Sequence, residues 1–211
     1  MTALEELYNA VVEGDAEACR HGVETAIAQG QNPATILNQA LIAAMSEVGA
    51  RFEREEYYVP EMLIAARAMQ TALNVLRPLL VESGVKTKGN VAVGTVQGDL
   101  HDIGKHLVGM MLEGAGFAVT DLGTDVPPAR FVQAARDGAH LIGMSALLTT
   151  TMTRMPVVIQ SLSQAGLRDK VRVIVGGAPV NQAFADKIGA DGYAPDASRA
   201  VALTKALLGV D

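Results

Sequence analysis

The residues with the clearest chemical potential are Gly98-Asp99-Leu100-His101-Asp102-Ile103-Gly104-Lys105, an Asp-x-His-x-x-Gly pattern placed where a strand pattern gives way to a helix pattern. Imidazole is the commonest side-chain metal ligand, and a metal-bound ring gives its second N–H to a carboxylate that fixes its tautomer. Asp99, two residues before His101, is positioned to be that carboxylate. The residues alone leave a second reading open: His101 as a surface histidine, with Asp99 or Asp102 capping the next helix. His21 and His140 lack an acidic, Cys or His partner at ligand spacing, and His106 falls off the helical face of His101, so these three read as ordinary.

The elements that must hold this motif follow from periodicity. Residues 90–96 form a β-rich apolar run suited to a strand buried on both faces, whereas Ile103, Leu107, Met110, Met111 and Leu112 recur at helical spacing, which puts the motif on a βα loop. Further apolar runs at 118–122, 141–145, 171–175 and 192–194 alternate with helical stretches near 103–115, 128–138, 152–165, 180–188 and 197–208. Repeated βα units predict a five-stranded parallel α/β sheet of Rossmann-like (flavodoxin-like) type, with a ligand at the C-terminal ends of the strands. His101 follows the first strand, Ser145 closes the third, and Gly176-Gly177 follows the fourth. Without further information that Gly-Gly reads as a turn.

Residues 2 to 80 read as helices: Thr2-Ala-Leu-Glu5 has capping-box form, Gly14-Asp15 and then Gly30 with Asn32-Pro33 punctuate, and two long stripes follow. The first stripe is Leu37, Leu41, Ala44, Met45, Val48 and Phe52; the second is Met62, Ala65, Ala66, Met69, Leu73, Leu76 and Leu80. They predict a four-helix bundle. The polar stretch 82–89 reads as a linker, so the expected division is 1–81, 82–89 and 90–211.

A net charge of −6 with no Lys/Arg block argues against a nucleic-acid footprint, and no apolar run approaches the ~20 residues a bilayer span needs. The N-terminal residues lack the basic start and apolar core of a signal peptide, so the expectation is a soluble, cytoplasmic protein without membrane or nucleic-acid partners. Cys19, the sole cysteine, shares a helix face with Ala16, Val23 and Ala26 and reads as a small core residue.

Ser145-Ala-Leu147 follows Gly104 after forty residues, and Gly176-Gly177 follows Leu147 after twenty-eight. In this order and spacing the three motifs resemble the cobalamin-binding module of corrinoid-dependent methyltransferases. The resemblance extends through residues 52–62, which are similar to the helical cap beside that module in methionine synthase and small corrinoid proteins. It implies a corrinoid bound base-off and His-on, cycling between methylcob(III)alamin and cob(I)alamin, with His101 as the lower axial ligand of cobalt. Asp99, His101 and Thr151 would form the ligand relay, Thr151 standing where methionine synthase has serine. Gly98, Asp102, Ile103 and Gly104 complete the matching loop. Ser145, Leu147, Gly176 and Gly177 would line the slot for the nucleotide tail, glycine being needed because a Cβ would fill it. Thr149, Tyr193 and Ala197 match further tail or corrin contacts. Phe52, Val59 and Met62 match the positions that cover the upper face.

The resemblance further implies a methyl carrier that is not catalytic by itself. Its partners would be a substrate-specific methyltransferase, an acceptor methyltransferase of tetrahydrofolate or coenzyme M type, and a reductive activation protein. Methylated amines, methoxylated aromatics, betaines and methanol all remain open as donors. A cobalamin-binding mutase subunit shares the α/β motifs without the cap residues, and a cobalamin-responsive regulator would add a DNA-binding region absent from these 211 residues. A nucleotide-binding flavodoxin-like module fits poorly, because the first βα loop lacks Gly-x-Gly-x-x-Gly.

Overall fold

The computed structural model describes residues 1–84 and 86–210. Val85, inside the expected linker, and Asp211, at the end of the expected second domain, lie outside the described residues. The chain forms two compact units: Met1–Lys86 with Gly114–Gly116, and the rest of the described residues.

In the first unit, α1 (Ala3–Glu13) opens on the expected capping box. The Thr2 hydroxyl accepts the Glu5 N–H at 3.2 Å, and the Thr2 N–H donates to Glu5 Oε2 at 2.7 Å, so two otherwise orphaned donors are satisfied. Asp15 caps α2 (Ala16–Ala28), and Asn32 caps α3 (Pro33–Thr35) with proline at its first turn. α3 runs into a π-helix at Ile36–Ile42 and then α4 (Ala43–Glu53), before α5 (Val59–Glu82). α1 packs on α2, α4 and α5, and α2 packs on α5. The π-helix shifts the phase of the stripe that begins at Leu37: Ile36, Ala40 and Leu41 are buried, while Leu37, expected inward, is half-buried. Burial, reinforced by the Asp15 charge, pushes the Cys19 thiol up to about 12, which suits an inert core residue.

The second unit contains β1 (Asn90–Thr95), α6 (Ile103–Gly114), β2 (Ala118–Asp121), α7 (Pro128–Arg136) and β3 (Leu141–Ser145). It continues with α8 (Thr149–Met152), α9 (Met155–Gln164), β4 (Arg172–Gly176), α10 (Gln182–Ile188), β5 (Gly192–Tyr193) and α11 (Ala197–Leu208). All pairings are parallel, in the order β2-β1-β3-β4-β5. β1, β3 and β4 are buried as their apolar runs predict, but β2 is an edge strand and largely exposed. The chain leaves β1 toward one side of the sheet and returns to build β3 on the other, so the strand order reverses between these two central strands. Such a switch point opens a crevice at the C-terminal strand ends. α6 borders it, fastened by buried Leu107, Met111 and Leu112 at about 1.5–3 kcal/mol for each fully buried large side chain. Ile103, assigned by its spacing to the same stripe, is 74% exposed. No helix among the described residues is long and apolar enough to cross a membrane.

Candidate functional site

β1 and β3 deliver their following loops to the same place. Past the end of β1, the Val96 N–H still donates to the Ser145 carbonyl at 3.0 Å, and the chain then turns as the Asp99 N–H donates back to Val96 at 3.1 Å. The buried Thr95 hydroxyl donates to the His101 carbonyl at 2.8 Å, anchoring the loop to the last residue of the strand. Asp99 is 1% exposed although it lies on a loop, because it is enclosed by groups that need its charge.

One carboxylate oxygen, Oδ1, accepts the His101 backbone N–H at 3.0 Å and lies 2.8 Å from His101 Nδ1. The other, Oδ2, accepts the Leu147 N–H at 2.8 Å and the Thr151 hydroxyl at 2.6 Å. The Thr151 oxygen also lies 3.0 Å from the Leu148 carbonyl, but a hydroxyl has one proton, and the charged oxygen at shorter range claims it. Burial works against charge on Asp99, yet hydrogen bonds from the Thr151 hydroxyl, the Leu147 and His101 N–H groups and the His101 ring outweigh it. They hold the carboxyl well below the usual carboxylate range. An ionised carboxylate can only accept, so Nδ1 carries the proton and the lone pair of the neutral ring is on Nε2. The His101 side chain is 55% exposed. The arrangement presents an oriented, electron-rich nitrogen to an outside ligand.

The surroundings select the kind of ligand. No group of three or more His, Cys, Asp or Glu among the described residues is arranged to hold a metal ion. One fixed imidazole suits a metal that arrives with its own equatorial ligands. Beside it stand large exposed apolar residues from the same two loops and the start of α6: Leu100, Ile103, Leu147 and Leu148. A Cβ built at Gly104 would meet nothing within 4 Å, so the fold itself does not demand glycine on this exposed helical turn, where glycine costs about 1 kcal/mol relative to alanine. An apolar rim, a bare backbone patch and a single donor nitrogen fit a broad macrocycle.

The remaining sequence candidates fall in several places. Ser145 ends β3 in register with Thr95 and Gly176, and Gly176 is the last residue of β4. A Cβ on Gly176 would lie 2.9 Å from the Ala194 carbonyl oxygen, and one on Gly177, at φ 117, only 1.9 Å from that of Ala146. Both glycines are therefore required by the chain's own backbone, a reason different from the clear slot expected of them. Thr149 opens α8 and is exposed, Tyr193 ends β5 half-buried, and Ala197 is buried at the start of α11, which Asp196 caps. In the helical unit Val59 is 42% exposed, Phe52 is half-buried and Met62 is fully buried.

Two features escaped the sequence. His106 is not isolated: Nε2 lies 3.0 Å from Asp121 and Nδ1 3.5 Å from Asp102. Asp121 also pairs with the buried Lys105. Burial opposes charge on Asp121, but Lys105 and the Gly123 N–H hold its carboxyl below its ordinary value. The cluster ties the first turn of α6 to the end of β2, a long-range pairing without a sequence signal. The exposed Leu100 had a faint one, an apolar residue in an otherwise polar loop.

Comparison with known proteins agrees with this geometry. Residues 89–202 match a B12 binding domain family, and residues 3–77 match a second family of the same description. The chain is 47% identical over 208 residues to a dimethylamine corrinoid protein of Methanosarcina acetivorans, covering 97% of each chain. It superposes with a TM-score of 0.81 and 30% identity on a cobalamin-binding protein from Desulfitobacterium hafniense, over 98% of this chain and 99% of that one. A chain of the methanol:cobalamin methyltransferase complex from Methanosarcina barkeri gives a TM-score of 0.87 at 29% identity, over 98% of this chain and 80% of that one.

Proposed function

Because this chain belongs to the corrinoid proteins built on the B12 binding domain, we propose that His101 holds a corrinoid cobalt from below while the protein carries a methyl group between two methyltransferases. The observation that carries this reading is the Asp99–His101 pair, with Nδ1 fixed by a buried carboxylate and the ring exposed among Leu100, Ile103, Leu147 and Leu148.

When bound, the corrinoid supplies a cobalt centre able to accept and release a methyl group. The chain's own residues do the rest. His101 would offer Nε2 to the cobalt in one orientation, which suits the base-off, His-on mode. Asp99 keeps the proton on Nδ1 and adds negative charge that strengthens the imidazole as a donor. Thr151 and the Leu147 N–H keep Asp99 ionised, and the Thr151 hydroxyl is the next proton-bearing group in the chain of hydrogen bonds. Gly98, Asp102, Ile103 and Gly104 shape the loop around the ligand. Ser145, Leu147, Gly176 and Gly177 border the channel for the nucleotide tail, with Thr149, Tyr193 and Ala197 further along it. Phe52, Val59 and Met62 form the apolar cover of the upper face, a role that requires Met62 to become accessible. The functional division that goes with this is a cover at 1–81, a linker at 82–89 and a cofactor domain at 90–211.

The name of the 47% identical relative favours a methylated amine as the methyl donor. The first partner is then an amine methyltransferase, the second an acceptor methyltransferase of tetrahydrofolate or coenzyme M type, and the third a reductive activation protein, all in the cytoplasm. To test the reading, the chain is reconstituted with cobalamin, reduced and incubated with dimethylamine, with and without a dimethylamine methyltransferase. Methylation of the cofactor should require both additions. Methylation by a methanol system and not by any amine system would refute the donor class, and failure with every methyltransferase system would refute the carrier role.

A further inference from the structure

Resting on that reading, we propose that Asp125 is a positioning residue for His101, holding from outside the Asp99–His101–Thr151 chain the loop on which the cobalt ligand stands. Among the described residues, Asp125 and Glu55 are the non-glycines with positive φ, Asp125 at 52°. Glycine adopts such a backbone freely, and aspartate is among the few other residues that tolerate it, at some cost in strain, because its short side chain can hydrogen-bond to backbone. At Asp125 that side chain has a use: Oδ1 accepts the Gly98 N–H at 2.7 Å. The Asp125 N–H in turn donates to the Asp99 carbonyl at 2.9 Å. Two adjacent residues of the ligand loop are thus gripped by one residue of another segment.

That segment is itself fixed. Thr95 donates its N–H to Gly123 at 3.0 Å and accepts from Val126 at 2.9 Å, which extends sheet pairing past the end of β2 to a bridge between Val96 and Val126. The Asp125 carboxylate is not spent on the following helix, since α7 has Pro127 at its N-cap and no side-chain cap. With the Asp99 N–H bound to Val96, the Gly98 N–H, Asp99 N–H and Asp99 carbonyl are all engaged. The backbone that carries the Asp99 carboxylate is held on both sides, and through that carboxylate so is the His101 ring. Groups that orient a metal ligand through hydrogen bonds are general in metal sites, and Asp125 would act one step further out, through the backbone that carries Asp99.

The test compares Asp125→Gly, which keeps the backbone geometry without the acceptor, with Asp125→Asn, whose amide oxygen can accept the same bond. In the full-length apo-protein, Gly98 N–H exchange should accelerate by roughly fivefold in Asp125→Gly, the equivalent of one net hydrogen bond. In the holo-protein reduced to Co(II), the ratio of imidazole-bound to imidazole-free cobalt, read from nitrogen hyperfine structure, should fall by roughly fivefold as well. Asp125→Asn should restore most of both. Unchanged exchange, or accelerated exchange with an unchanged ratio, would overturn the proposal alone. Absence of imidazole coupling in the unmodified protein would overturn the functional reading and the proposal together.

Discussion

Asp99 is ionised in a place where burial opposes its charge, and its hydrogen bonds decide the outcome. Replacing Thr151 by alanine removes the 2.6 Å bond from a buried carboxylate and should destabilise the apo-protein by about 1–3 kcal/mol, whereas Thr151→Ser, which keeps the hydroxyl, should lose little of this. Chemical denaturation of the three proteins measures this. The depressed carboxyl also fixes a pH dependence. Its contribution is complete above the unfolded-chain value of about 3.9 and is lost as the pH falls from there through the lower folded-state value. Asp99→Asn should therefore be less stable than the unmodified protein near neutrality, and the gap should narrow under acid. A constant gap down to acid unfolding would show that the charge of Asp99 does not support the fold. At this scale the sequence was informative where partners are close along the chain: Asp-x-His places Asp99 and His101 two residues apart. It was silent on Asp125 and on Lys105–Asp121, because those partners meet only after β2 pairs with β1.

Elements came out of periodicity where burial is simple. β1, β3 and β4, enclosed on both faces, match their continuous apolar runs, and the alternation of strands and helices was sufficient for a parallel sheet, whereas the switch point between β1 and β3 is visible only in the strand order of the structure. The π-helix at Ile36–Ile42 was hidden, since a stripe counted at 3.6 residues per turn loses phase when one turn widens. Gly176-Gly177 shows a different limit: spacing marks the glycines but does not say what a Cβ would strike. The contact with Ala146 predicts that Gly177→Val lowers apo-protein stability by more than about 2 kcal/mol, because backbone must move to admit the side chain and φ is left-handed. A thermal melt of the apo variant checks this. A normal melt with weakened cobalamin binding would instead assign the glycine to the ligand.

For the whole molecule, a carrier must protect its cargo in transit and surrender it to two different enzymes. If residues 1–81 provide the cover, a chain of residues 88–211 should bind cobalamin yet lose bound methyl to light faster than the full chain does, since the loops proposed to hold the cobalt and the nucleotide tail lie within 90–211 and Phe52, Val59 and Met62 do not. Equal photolysis rates would remove the helical unit from that role. The proposed role of His101 as the lower ligand of cobalt is open to electron paramagnetic resonance of the holo-protein in its Co(II) state, prepared with and without nitrogen-15 in its histidines. Axial hyperfine splitting that changes with the histidine label and disappears in His101→Ala is the expected result; splitting that ignores the label and survives that substitution would show that another group ligates the cobalt.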